Sequence, residues 1–149
     1  MMADAVKVLI YAVWDGRLLV FDEPDFPEVP LQVPGGTVEA GEDPAQAAAR
    51  EFFEETGLEP ASHPQPLFSH DYRFVRDGRP ITHRRHYFHL PLSGPFAESW
   101  LHWEETPFDG SPPIRFRLHW IALSEAPRRL GLGMGEALFA LPPGHGIAS

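Results

Sequence analysis

The sequence predicts an α+β layered domain, and three observations predict it. Runs of β-branched and aromatic residues flank Asp-Gly pairs at 15–16 and 77–78, the pattern of β-hairpins. One segment, 44–56, carries start and stop signals for a helix. The order along the chain is strands, helix, several strands, helix, which suggests an α+β layered domain.

Each element follows from its residues. Val6 to Val13 and Arg17 to Phe21 are expected as the first hairpin. Asp22 to Pro30, with three prolines and four acids, is expected as loop. Leu31 to Val33 reads as a short strand, and Pro34-Gly35-Gly36 as a turn. For the helix, Asp43 is the N-cap, Pro44 fits the first position and Gln46 completes a capping box. Its alanines favour helix, and Gly57 stands where a left-handed C-terminal cap belongs. Leu67 to Val75 and Ile81 to Leu92 are expected as the second hairpin, Phe96 to Trp103 and Ile114 to Leu123 as further strands, and 106–113 as loop. A final helix is expected over Leu130 to Leu141, weakened by Gly131, Gly133 and Gly135. The tail from about 142 is expected to be loose.

At 149 residues and 43% hydrophobic, the chain is sized for a single compact domain, 1–149. Its net charge of -9 argues against a DNA or RNA coat, because nucleic-acid polymers are held by basic surfaces. A small phosphorylated ligand stays open, since a bound cation can supply local positive charge. The chain has no cysteine, which removes disulfides, thiolate catalysis and thiolate metal sites. The early apolar stretch is far too short to span a bilayer and has no basic leader. No membrane partner and a cytoplasmic location are therefore expected.

The chemistry is concentrated between Gly36 and Leu58. Glu51, Glu54 and Glu55 fall at i, i+3 and i+4, on one face of the expected helix. Like charges so placed repel unless one resists ionising or a divalent cation lies between them. Mg²⁺ and Mn²⁺ prefer such oxygen ligands and complete their shells with water and substrate phosphate. Phe52 and Phe53 would anchor the helix. Arg50 can reach Glu54 or fold back toward Glu42. Gly35 and Gly36, lacking Cβ atoms, let the backbone approach a ligand.

This segment resembles the Nudix box, G-x5-E-x7-R-E-U-x-E-E-x-G-U with U apolar. It matches at Gly36, Glu42, Arg50, Glu51, Phe52, Glu54, Glu55, Gly57 and Leu58. The resemblance implies a mixed β-sheet sandwiched between helices. It implies Mg²⁺, with Mn²⁺ as a substitute, held by Glu51, Glu54, Glu55 and the Gly35 carbonyl. Arg50 joins the three glutamates in the catalytic group and pairs with Glu42, while Gly36, Glu42 and Gly57 shape the loops. The implied activity is attack of metal-activated water on a diphosphate linkage, in a nucleoside triphosphate or a nucleoside diphosphate linked to another group. The general base varies in this family. Glu51 is the first expectation, and Glu104 or Glu105 the next, with Glu98 in the same later region.

Residues 70–90 hold five of the twelve Lys/Arg and four of the eight His, a local reversal of charge that would suit a polyphosphate. Arg84 and His86 share one strand face, and His83 and Arg85 the other, so only one pair can face the site. Arg84, His86, Tyr72, Glu104 and Glu105 are taken as substrate contacts, and Trp100 and Trp103 as further aromatics that could stack a base. The expected partner is a small nucleotide-type diphosphate, and a homodimer is expected from the habit of the family. The competing reading is a non-catalytic Nudix module that binds a nucleotide or nucleotide-sugar as sensor or scaffold. Such modules tend to lose box carboxylates, and this chain keeps them. Isomerase chemistry on a related fold needs a cysteine, which is absent.

Overall fold

The computed structural model describes residues 2–104 and 112–143. Glu105, residues 106–111 of the expected loop and residues 144–149 of the expected tail lie outside them. Among the described residues seven strands form one mixed sheet: β1 (Ala5–Trp14), β2 (Arg17–Asp22), β3 (Gly35–Thr37), β4 (Gln65–Arg76), β5 (Arg79–Pro91), β6 (Ser99–Glu104) and β7 (Ile114–Ala122). The order is β4-β5-β1-β2-β7-β6, with β3 also on β1. β1 runs parallel to β5, and the remaining pairs are antiparallel. The helix α1 (Pro44–Thr56) lies against one face.

β1 is the pivot. Its upper edge pairs with β2 only at Val13 and Trp14, through the Asp15-Gly16 turn, whose residues both have positive φ. Lower down, β3 takes the vacated edge, with Leu9, Val8 and Lys7 opposite Gly35, Gly36 and Thr37. The Gly-Gly pair expected as a turn is therefore strand, and the strand expected at 31–33 shrinks to a bridge between Gln32 and Phe21. The physical reason is the free edge of β1, whose donors and acceptors need partners. A sequence window cannot see that edge.

Two cores lie on the two faces. Val8, Ile10, Phe88, Leu118 and others pack with Ala47, Ala48 and Phe52 of α1. Leu9, Tyr11, Tyr87 and Ile121 pack under Ala126, Met134 and Ala137. The second cover is not the helix expected over 130–141. It is a four-residue helix α2 (Ala126–Arg129), turns, and a 3-10 turn at Leu138–Ala140. Gly133 and Leu132 both have positive φ there, which a continuing helix forbids. The segment is fastened by Tyr11, whose hydroxyl donates to Met134 O at 2.6 Å and accepts the Ala137 N–H at 3.2 Å.

The strand expected to begin at Phe96 begins instead at Ser99. Phe96 turns inward against Trp14 and Trp120. No helix among the described residues is long and apolar enough to cross a membrane.

Candidate active site

The helix caps form as the sequence predicts. Asp43 Oδ1 accepts from the N–H groups of Ala45 and Gln46 at 2.8 and 3.1 Å, and Gln46 reaches back to Asp43 N at 3.1 Å. Gly57 closes the helix with φ 78°. These caps fix where α1 begins and ends, and packing against the sheet buries its Phe52 in the core. The acids therefore turn toward β3 and β6.

Glu55 is the most enclosed acid. It is 7% exposed, and its Oε1 accepts the Gly35 N–H at 2.8 Å. Burial pushes its pKa well above the carboxylate range; the Gly35 bond opposes that, while the charges of Glu51 and Glu104 and a hydrogen bond with Glu104 add to it. Burial also raises Glu51, to about 7, against the pull of Arg50. Glu54 is the outer member, its side chain 47% exposed.

Gly36 makes room for this cluster. A Cβ there would stand 2.0 Å from Glu51 Cδ, so the Glu51 carboxylate occupies the space that any side chain would fill. Gly35 is confined on the other side, since its Cβ would meet Val8 O at 2.3 Å.

Arg50 does both things the sequence allows. Its Nε and Nη2 hold Glu42 at 2.8 and 2.9 Å, a bidentate pair. Its Nη2 also donates to Thr37 O at 3.0 Å, tying the loop to the helix. Nη1 donates to Glu51 at 3.0 Å and Glu54 at 2.9 Å. Bonding to Arg50 draws the Glu42 pKa down to about 2.

Arg50 and the three glutamates line a cleft of about 1080 Å³, together with Leu101, His102, Trp103 and Glu104 of β6 and the exposed Phe53. β6 is clipped to the end of α1 by two side chains. Trp100 Nε1 donates to Thr56 O at 2.8 Å, and His102 Nε2 lies 2.8 Å from Glu54 O. Trp100 thus serves packing, while Trp103 stands in the cleft. Glu98 pairs with Arg17 at 2.9 Å and is not part of the cleft lining.

A second cavity of about 360 Å³ adjoins the first. Lys7, Gly35, Gly36 and Glu55 line both. Tyr72, Phe74, Arg76, His83, Arg85, Leu132 and Met134 are among the rest of its wall. Tyr72 is on this wall. The strand alternation, however, brings His83 and Arg85 to it, not Arg84 and His86. Arg84 pairs with Asp71, and His86 Nδ1 lies 2.7 Å from Ser69 Oγ, on the opposite face. The choice between the two faces depends on which side the C-terminal segment covers. Arg85 is buried, lies 3.6 Å over the Tyr72 ring and bonds Glu136 at 3.1 Å.

Sequence reasoning left His83 and Arg85 open as the alternative pair and passed over Lys7 and Glu136. One signal was available for Lys7: it is the only lysine in the chain.

Divalent ions fit the donor set, which is all oxygen, enclosed, and burdened with buried negative charge. Among the described residues no three acidic or imidazole groups already converge at ion-binding distance. Arg50 bridges Glu51 and Glu54, and Gly35 engages Glu55. Ion uptake would therefore exchange some of these bonds for metal–oxygen contacts.

The layered mixed sheet and the glutamate-bearing loop–helix–loop on its β3 edge define a Nudix-type domain. Comparison with known proteins agrees, and the chain belongs to the NUDIX domain family, whose model matches residues 3–140. Among curated proteins it is similar to the RNA pyrophosphohydrolase of Brucella ovis, with 52% identity over 48 residues. That match spans 31% of this chain and 27% of the relative's length. The fold is shared with a MutT NUDIX hydrolase from Burkholderia pseudomallei, at TM-score 0.67 and 23% identity, covering 93% of this chain and 98% of that one. It is also shared with the NUDIX domain of Shewanella oneidensis NrtR complexed with ADP ribose, at TM-score 0.64 and 12% identity, covering 94% and 87%.

Proposed function

We propose that this chain is a divalent-metal-dependent pyrophosphohydrolase. It cleaves the diphosphate linkage of a nucleoside triphosphate or of a nucleoside diphosphate joined to another group. The observation that carries this reading is the gathering of Glu51, Glu54 and Glu55 beside a glycine strand at the floor of a cleft large enough for a nucleotide. The RNA pyrophosphohydrolase similarity supports the same class of bond. The acidic chain favours a small nucleotide over a long polymer.

Glu51, Glu54 and Glu55, with the Gly35 carbonyl, would hold Mg²⁺ or Mn²⁺. Bound there, the ion supplies Lewis acidity toward phosphate oxygens and a water of lowered pKa. The protein's own part is placement. Arg50 and Glu42 fix the loop against the helix, and second-layer support of this kind orients metal-binding carboxylates. Water attacks one phosphorus, the bridging P–O bond breaks, and the other phosphate leaves with that oxygen. A carboxylate must accept the water's proton. Glu51 would be the first candidate for this, and Glu104, which also lines the cleft, the second. The aromatic second cavity would seat the organic part of the substrate, where Tyr72 and Phe74 offer ring faces.

The retained box carboxylates argue against a purely sensing module. The test is a nucleotide panel with Mg²⁺ or Mn²⁺, products being identified by mass. Hydrolysis abolished by chelation and cut at least a hundredfold by Glu54→Gln is expected. Full turnover in Glu54→Gln, or no hydrolysis across the panel, would overturn the reading.

A further inference from the structure

The two cavities meet at Lys7, and this lysine has an environment that neither packing nor solubility explains. It lies on β1 opposite Thr37 of β3, directly beside the glycine strand. It is partly buried, and its Nζ donates to Thr37 Oγ1 at 2.6 Å. An ammonium has three donors, and among the described residues this is the only hydrogen bond its Nζ makes. Among the described residues no ion pair joins it to Glu51 or Glu55, although both line the same cleft. The other cations of the second cavity are differently engaged. Arg85 is committed to Glu136 and Tyr72. Arg76 stacks over Phe74, 5.2 Å from the ring centroid, and does not line the carboxylate cleft. Lys7 is the sole cation common to both cavities, and the sole lysine of the chain.

A substrate with one end among the carboxylates and its ring system in the aromatic cavity must cross between them. The crossing is floored by Gly35 and Gly36, which have no side chains, and Lys7 stands there with donors to offer. We propose that Lys7 is the phosphate clamp of this enzyme. It would grip the nucleoside-proximal phosphate, with the base seated in the Tyr72–Phe74–His83 pocket and the distal phosphate toward Glu51, Glu54 and Glu55. This deepens the pyrophosphohydrolase reading and rests on it for the direction of the substrate. The contact is a charge-assisted hydrogen bond to an anion, among the stronger kinds available to a side chain. Thr37 acts one step back, as a positioning residue that steers the ammonium.

The test is a binding measurement that needs no turnover. Adenosine 5′-(α,β-methylene)diphosphate and adenosine are titrated calorimetrically into wild type, Lys7→Met, Lys7→Arg and Thr37→Val, in the presence of Mg²⁺. Lys7→Met is expected to weaken the diphosphonate analogue at least tenfold and leave adenosine within about twofold. Lys7→Arg should recover part of the loss, and Thr37→Val should lose about threefold. In parallel, wild type is acylated at low reagent excess with and without saturating analogue, and Lys7 modification is read by mass. The analogue should protect Lys7, and adenosine should not. Equal analogue affinity in wild type and Lys7→Met, no binding of the analogue by wild type, or acylation of Lys7 unaffected by the analogue would each overturn the assignment. Should Lys7→Met fail to fold, the protection measurement on wild type decides alone. The outcomes separate from those of the parent reading: wild type that binds the analogue through Lys7 but hydrolyses nothing refutes the hydrolase and keeps the clamp.

Discussion

Gly36→Ala is a substitution of one methyl group whose consequence can be worked from distances. The new Cβ would stand 2.0 Å from Glu51 Cδ and 2.3 Å from each carboxylate oxygen. Ordinary contact is about 3.5 Å, so the carboxylate must retreat by more than about 1 Å or change rotamer. Nothing rigid stands in the way, because the clashing atoms are the free end of a long side chain. The fold should therefore survive, with a stability change under about 1 kcal/mol, the upper end for ordinary surface substitutions being near half that. The chemistry should not survive. A displacement of about 1 Å in a positioned group costs about a hundredfold, and the 3.0 Å bond from Arg50 to Glu51 is lost with it. Gly35→Ala is the contrasting control. Its Cβ would meet Val8 O at 2.3 Å and Leu9 Cα at 3.3 Å, both backbone, so β3 must part from β1. Overpacking of this kind costs about 1–3 kcal/mol. Turnover on the best panel substrate and denaturant unfolding, measured on both variants, separate the effects. Gly36→Ala with undiminished turnover, or with the same unfolding loss as Gly35→Ala, would refute the reasoning.

Three further outcomes follow from the same geometry. Arg50 lowers the Glu42 pKa to about 2, below the usual value near 4.3; the stability this pair contributes is full above about pH 4.5 and is lost as pH falls toward 2. In Glu42→Gln that part of the acid limb, about 1–2 kcal/mol, should flatten in urea unfolding at pH 7 and pH 3, and an unchanged limb would count against it. Millimolar Mg²⁺ should raise the wild-type melting temperature by about 3–6 °C, an increment removed by chelation and missing in Glu51→Gln/Glu55→Gln; an equal increment in that double variant would place the ion elsewhere. Tyr11→Phe should cost about 2–3 kcal/mol in equilibrium unfolding, because it strands the Met134 carbonyl and the Ala137 N–H in the core; a loss below about 0.5 kcal/mol would show that the C-terminal cover is held by packing alone.

Local chemistry was legible in the sequence wherever partners are near neighbours. Asp43, Pro44, Gln46 and Gly57 delimit α1 because caps bond to backbone two to four residues away. Asp15-Gly16 and Asp77-Gly78 mark both hairpins because their positive φ values are a property of the turn itself. The spacing of Arg50, Glu51, Glu54 and Glu55 put the acids on one helical face before any coordinates were needed. Other features were decided by contacts between residues far apart in the chain. Gly35 and Gly36 became strand because β1 had an unpaired edge there. The segment 130–141 did not form the continuous helix expected because its glycines, and the positive φ of Leu132, let it follow the sheet and reach Tyr11, Tyr87 and Arg85. Strand alternation names two pairs on β5, Arg84 with His86 and His83 with Arg85, but gives them no address. Only the packing of the C-terminal segment on one face chose His83 and Arg85 for the second cavity. Lys7, 30 residues from Thr37, meets it solely because the sheet pairs them. The sequence alone thus determined the carboxylate helix and its caps, through interactions within a few residues. The tertiary structure decided what faces that helix, because burial and strand pairing are properties of the assembled sheet.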